Sequence, residues 1–143
     1  GNTGTKPGGV VKDTIDIIRE QGVFAVNLVA AAMTDAMNAT TAHLDRDADE
    51  FAAAGLEKAE CALIDAPRVA VAPASFECRL WQILELPGRD NLMAIGEVIG
   101  IHMNPACIRN GRFDVTTYQP LARLGYRDYA KITEVFELSR PND

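Results

Sequence analysis

The stretch from Ser75 to Met103 constrains this chain more than any other. Phe76, Cys78 and Leu80 alternate with Glu77, Arg79 and Trp81, and after a Pro87-Gly88-Arg89-Asp90-Asn91 loop the run from Leu92 to Met103 is rich in Ile and Val. Alternation at a period of two, a turn-forming loop and a second β-branched run predict a long antiparallel hairpin. Glu97, set among apolar neighbours, is expected to pair with Arg79 across the strands. Gly96 and Gly100 mark a bend, a bulge or the close approach of another backbone.

Helical signals are shorter. Lys12-Asp13-Thr14 precedes apolar Ile15, Ile17 and Ile18, with Gly22 just beyond, which predicts a helix over Ile15 to Gln21 capped by Asp13 or Thr14 and stopped by glycine. Val23 to Val29 has the composition of a buried strand. Ala30 to Ala42 suits a helix, Asp45 to Asp49 an acidic loop, and Glu50 to Leu56 a brief helical turn ended by Gly55. Pro67 and Pro73 bracket a short extended edge segment. Arg112 to Thr117 predicts a further short strand, while Tyr129 to Leu138 is amphipathic without declaring its type. Strands interleaved with short helices point to a mainly β chain, a barrel with helical insertions rather than a doubly wound parallel sheet.

A chain of 143 residues fits one domain, residues 1–143, able to bury roughly two thirds of its unfolded surface. Its net charge is −6 and its 14 Lys and Arg form no basic stripe, which argues against a nucleic-acid partner. The longest mostly apolar run, Val23 to Met33, is interrupted by Asn27 and falls short of the roughly twenty residues a bilayer needs, so a soluble chain with no membrane partner is expected. Cys61, Cys78 and Cys107 are odd in number and contain no C-x-x-C pair, against a disulfide framework and against a zinc knuckle; a reducing, cytoplasmic setting fits. The G-x-G-x-x-G, P-loop and H-E-x-x-H patterns are absent. Residues 1–10 read as a flexible Gly- and Pro-rich loop without an initiator Met, and sequence upstream of it is expected.

Several short blocks recur in a specific order. Lys12-Asp13-Thr14, Phe24-Ala25-Val26-Asn27-Leu28-Val29, Met37-Asn38-Ala39-Thr40, Asp49-Glu50-Phe51 and Ala54-Gly55-Leu56 are followed by Ala66-Pro67-Arg68-Val69 and Phe76-Glu77-Cys78-Arg79-Leu80. Gly96-Glu97-Val98 with His102, and Arg123-Leu124-Gly125 with Tyr129, complete the series. Together they resemble the flavin reductase-like, FMN-binding split-barrel family from about Val11 to Pro141. Family members carry further N-terminal strands that this sequence lacks. It also departs from the family at Ile17, commonly Asn, and at Tyr126, where a second Gly is usual.

The resemblance implies a Greek-key antiparallel split barrel, bound FMN, a homodimer, and reduction of a flavin or another acceptor by NAD(P)H through that FMN. A flavoredoxin-like electron carrier without nicotinamide activity and a non-catalytic assembly domain are the alternatives. Lys12 as a compact cation and Thr14 as a hydroxyl donor would meet the FMN phosphate at the opening of the first helix, with Asp13 capping the helix or orienting its neighbours. Asn38 and Thr40 would hydrogen-bond the ribityl chain or the polar ring edge; read alone, they are solvent-facing residues at a helix end. Arg123, with Tyr126 and Tyr129, either lines the dimer interface or shields one flavin face, or belongs to an aromatic cluster packed on the barrel. His102 reads as structural or exposed, Cys78 as a small core residue, and no catalytic residue or metal ligand is assigned, because hydride transfer to a flavin asks for little acid or base chemistry from the protein.

Overall fold

In a computed structural model the described residues are 2–3, 13–88 and 91–141. Residues 4–12, Lys12 among them, and residues 89–90 of the hairpin loop lie outside them; Asn2 and Thr3, expected within a flexible opening loop, form a short strand instead. The centre is a four-stranded antiparallel sheet in the order β1 (Asn2–Thr3), β6 (Asn91–Met103), β5 (Ala74–Glu85), β2 (Val23–Asn27). Three two-stranded ribbons surround it: β3 (Lys58–Ala59) with β4 (Arg68–Val69), β7 (Ile108–Arg109) with β8 (Arg112–Phe113), and β9 (Leu121–Arg123) with β10 (Tyr129–Lys131). The chain is mainly β with short helices, as expected.

The expected hairpin is β5 with β6. Its register places Arg79 opposite Glu97, 3.7 Å apart, and breaks between Glu77 and Cys78 and between Leu80 and Gln82. These breaks are the irregularity that Gly96 and Gly100 foretold, and the second turns Trp81 outward, 72% exposed. Helix α1 (Asp13–Gln21) forms where expected and buries Ile15 and Ile18. Gly22 closes it at φ +70, its amide bonded to the Ile18 carbonyl at 2.9 Å in the left-handed conformation that glycine adopts without cost.

Several expected elements are shorter, each for a local reason. The strand after α1 stops at Asn27 because that side chain turns aside: its Oδ1 accepts from the Val69 amide at 3.0 Å and the Ser75 hydroxyl at 2.8 Å. Instead of a helix over residues 30–42 there is a 3-10 turn at Ala31–Met33 and α2 over Thr34–Ala39. Ala30 is held in a bridge with Pro120, and the hydroxyls of Thr40 and Thr41 donate back to the carbonyls of Met37 and Asn38, a pattern that competes with helix continuation. Helix α3 (Glu50–Ala53) is capped by Asp49, which accepts from the Phe51 amide at 3.1 Å. Beyond β8, Asp114 caps a 3-10 turn at Val115–Thr117 in place of more strand. Of residues 129–138 only β10 is regular.

Among the described residues the fully buried apolar set is small: Ile15, Ile18, Ala30, Ala72, Ala74, Cys78 and Cys107. Large apolar side chains stand exposed on the hairpin (Trp81, Val98, Ile101, Met103) and near the C-terminus (Val135, Phe136, Leu138).

Candidate functional site

Two adjoining cavities meet at the start of α1. The smaller, about 240 Å³, is lined by Asp13, Thr14, Thr40, Thr41, His43 and Glu50 among others. The larger, about 910 Å³, shares Asp13, Thr14 and Glu50 with it and runs along Ile17, Ile18, Phe24, Val26 and Phe51 to Pro67. The smaller mixes polar and apolar groups at a helix start; the larger is more apolar, with Asp45, Arg46, Asp49 and Lys58 also on its wall.

The walls are set by ion pairs between elements. Arg46 grips both carboxylate oxygens of Glu20 at 2.9 and 2.8 Å, pinning the 45–49 loop to α1. Lys58 reaches Asp49 at 2.8 Å and lies 5.3 Å from the centre of the Phe51 ring. The Lys58 hydrogen bond is the chief reason the Asp49 carboxyl is held below its usual range. These groups are well exposed, so the pairs place the loop more than they stabilise it.

Of the residues singled out from sequence, Asp13, Thr14 and Thr40 come together around the small cavity. Lys12, next in the chain, lies outside the described residues. Asn38 sits in the last turn of α2, where its backbone carbonyl accepts from Thr41, and it does not line this cavity. Arg123 stands exposed on β9 opposite Tyr129, away from both cavities, and Tyr126 beside it is 96% exposed. Thr41, His43 and Glu50 join Asp13, Thr14 and Thr40 around the small cavity; Thr41 adjoins the Met37–Thr40 block, Glu50 lies within the Asp49–Phe51 block, and neither is singled out by sequence as a site residue.

These residues suit a phosphorylated flavin in part. A helix of nine residues opens at this space, the end of a helix whose backbone amides suit an anion, and Thr14, Thr40 and Thr41 add hydroxyls around a volume equal to roughly eight waters' share of liquid. The Thr40 and Thr41 hydroxyls must turn from the carbonyls they now serve in order to donate to an anion. Asp13 and Glu50 oppose a dianion, and Arg46, which shares the wall of the larger cavity and feels the Asp13 charge, offsets part of that opposition. Ile17, lining the large cavity where the family commonly has Asn, supplies apolar wall in place of a hydrogen bond.

A second polar centre lies elsewhere. Sequence alternation groups Glu77 with Arg79 and Trp81, yet it is 1% exposed. Its carboxylate accepts from the amides of Ala62 and Leu63 at 2.8 and 2.7 Å and bonds His102 Nε2 at 2.5 Å. Burial works to raise the Glu77 pKa, but the two amides and His102 outweigh it and hold the carboxyl at about 2.

Comparison with known proteins agrees with this fold. The model of the flavin reductase like domain matches residues 9–121. Nitrilotriacetate monooxygenase component B from Bacillus cereus is 32% identical, with a TM-score of 0.84 over 95% of this chain and 69% of that one. The 2-nitrobenzoate 2-nitroreductase of Pseudomonas fluorescens is 28% identical, with a TM-score of 0.80 over 91% of this chain and 65% of that one. A split-barrel domain protein from Shewanella frigidimarina, at 22% identity, shares the fold with a TM-score of 0.80 over 90% of this chain and 66% of that one. The chain spans between 61% and 69% of the length of the first curated relatives it matches. With a family match over most of its length and a split-barrel architecture common to these structures, the chain belongs to the flavin reductase-like family.

Proposed function

We propose that this chain is one FMN-binding domain of an oxidoreductase that uses NAD(P)H to reduce a flavin or another acceptor. The observation that carries this reading is Thr14, placed where the small cavity at the helix start meets the larger and more apolar one. That junction suits a ligand with a charged phosphate at one end and a broad apolar ring at the other. In this assignment Thr14 and the first-turn amides of α1 hold the phosphate, joined by Lys12, and Thr40 takes the ribityl chain. Arg123 is a secondary contact from a neighbouring copy, and Asn38, which lines neither cavity, shapes the end of α2 that presents Thr40. Bound FMN would supply acceptance and donation of hydride. The chain's own residues bind and orient: Ile17, Phe24 and Phe51 keep water from the ring, and no side chain is needed as general acid or base.

A homodimer is part of the same proposal, supported by the exposed Trp81, Val98, Ile101 and Met103 on the hairpin, an apolar patch of the kind that marks association surfaces. A cytoplasmic setting is proposed from three cysteines that remain thiols. Among the described residues no helix is long and apolar enough to cross a membrane.

The test is an absorbance titration of the purified protein with FMN, followed by NADH or NADPH without oxygen. Flavin uptake and bleaching by a nicotinamide are expected. Uptake without bleaching, reversed only by a reduced protein donor, would move the function to electron carriage; failure to take up flavin would overturn the reading.

A further inference from the structure

Cys61, Glu77 and His102 come from the loop after β3, the first half of β5 and the end of β6, and one ligand atom from each lies within 4.8 Å of the others. None of them lines the cavities at α1. In the hairpin register Glu77 faces Gly100 and His102 faces Ser75, so acid and imidazole are diagonal neighbours on one face, within side-chain reach. Gly100 leaves the room: a Cβ there would stand 3.2 Å from Glu77 Cδ and 3.2 Å from Leu63 Cδ1.

The three groups differ in chemistry in a way that favours one class of ligand. Glu77 is a buried anion, ionised at any pH near neutrality. Burial first, and then the charge of Glu77, push the Cys61 thiol up, which is the reverse of what an activated nucleophile needs. A bound divalent cation reverses that balance, because it neutralises the carboxylate and deprotonates a coordinating thiol outright. Sulfur, nitrogen and oxygen together suit zinc, whereas magnesium and calcium take oxygen ligands. Access exists from two sides: Cys61 lines a cavity of about 520 Å³ and His102 another of about 440 Å³.

We propose that Cys61, Glu77 and His102 form a site for a zinc-like divalent cation, with three protein ligands and a fourth position open to water. Binding replaces the Glu77–His102 hydrogen bond with two metal bonds and the S–H bond of Cys61 with a third. The thiol proton and the Nε2 hydrogen that bonded Glu77 both leave to solvent, and the bound imidazole carries its single hydrogen on Nδ1, retained there or taken up from solvent. The ion fastens the 61–63 loop to the hairpin.

The experiment uses the flavin-free chain stripped by a chelator, so its outcome is independent of the flavin assignment. Zinc alone is added under equilibrium dialysis, and cobalt(II) alone in a parallel absorbance titration. A single zinc per chain, with proton release and a thiolate-to-cobalt charge-transfer band, is expected. Cys61→Ser and His102→Gln should each weaken zinc by more than the roughly 10–100-fold that loss of an outer partner costs a metal site, and Cys107→Ser should change nothing. Circular dichroism confirms that each variant is folded. Absence of stoichiometric zinc, equal zinc retention by Cys61→Ser and His102→Gln, or cobalt binding without the charge-transfer band would each overturn the proposal.

Discussion

Gly96 lies against the ring of Phe24: a Cβ built on the glycine would stand 2.5 Å from Cζ and 2.8 Å from Cε1, with the Arg79 carbonyl at 3.1 Å. The contact spans the sheet, since Phe24 pairs with Cys78 on β5 and Gly96 with Leu80 on the same strand. Gly96→Ala is therefore expected to destabilise the chain by about 1–3 kcal/mol, the usual cost of overpacking. Phe24→Leu in the same background should recover part of it. Denaturant midpoints measure both, and an unchanged midpoint for Gly96→Ala would show that the ring swings aside freely.

Asn27 ties β4 to the central sheet through a single oxygen that serves both the Val69 amide and the buried Ser75 hydroxyl. Asn27→Ala leaves both donors without that partner, and a loss of about 1–3 kcal/mol is expected. Thermal unfolding tests this; equal stability of Asn27→Ala and the parent would mean that water or another acceptor replaces the amide.

Glu77 should make the chain acid-sensitive in a defined window. Its folded pKa of about 2 lies below the ordinary 4.5, so between these values the unfolded chain binds the extra proton. The stability Glu77 contributes is complete above pH 4.5 and is lost as pH falls through about 2. Glu77→Gln should lower the melting temperature at neutral pH and flatten its slope in that window. Parallel melting curves for parent and variant would refute this.

Thr14 and Thr40 should distinguish FMN from riboflavin, which lacks the phosphate. Each hydrogen bond to a charged group is worth about 1.5–3 kcal/mol, or roughly tenfold or more in affinity. Thr14→Ala is expected to weaken FMN by that factor while leaving riboflavin unchanged, and Thr40→Ala to weaken both if it meets the ribityl chain. Equal losses of both ligands in Thr14→Ala would remove the phosphate from α1. Absorbance titration reads both affinities.

What the sequence revealed was local. Alternation along residues 76–81 and glycines at 96 and 100 led to the hairpin, its irregular register and the Arg79–Glu97 pair, because strand neighbours follow from a period of two and a loop of known length. The same alternation misplaced Glu77. Its partners lie 14, 15 and 25 residues away, and nothing in residues 60–63 announces that two of their amides fold over a carboxylate. Thr14 and Thr40 were found through the order of family blocks, since their meeting depends on how the end of α2 returns to the start of α1. The strand end at Asn27 and the helix end at Ala39 fall a few residues short of expectation where the polar side chains of Asn27 and Thr40 take over backbone bonding.

The bulge that turns Trp81 outward has a practical consequence. This is the chain's only tryptophan, and at 72% exposure its indole emission in the folded monomer already resembles that of the unfolded chain. Emission colour is thus a poor gauge of folding but a sensitive reporter of contact. A blue shift on raising protein concentration would signal that another surface has covered the hairpin.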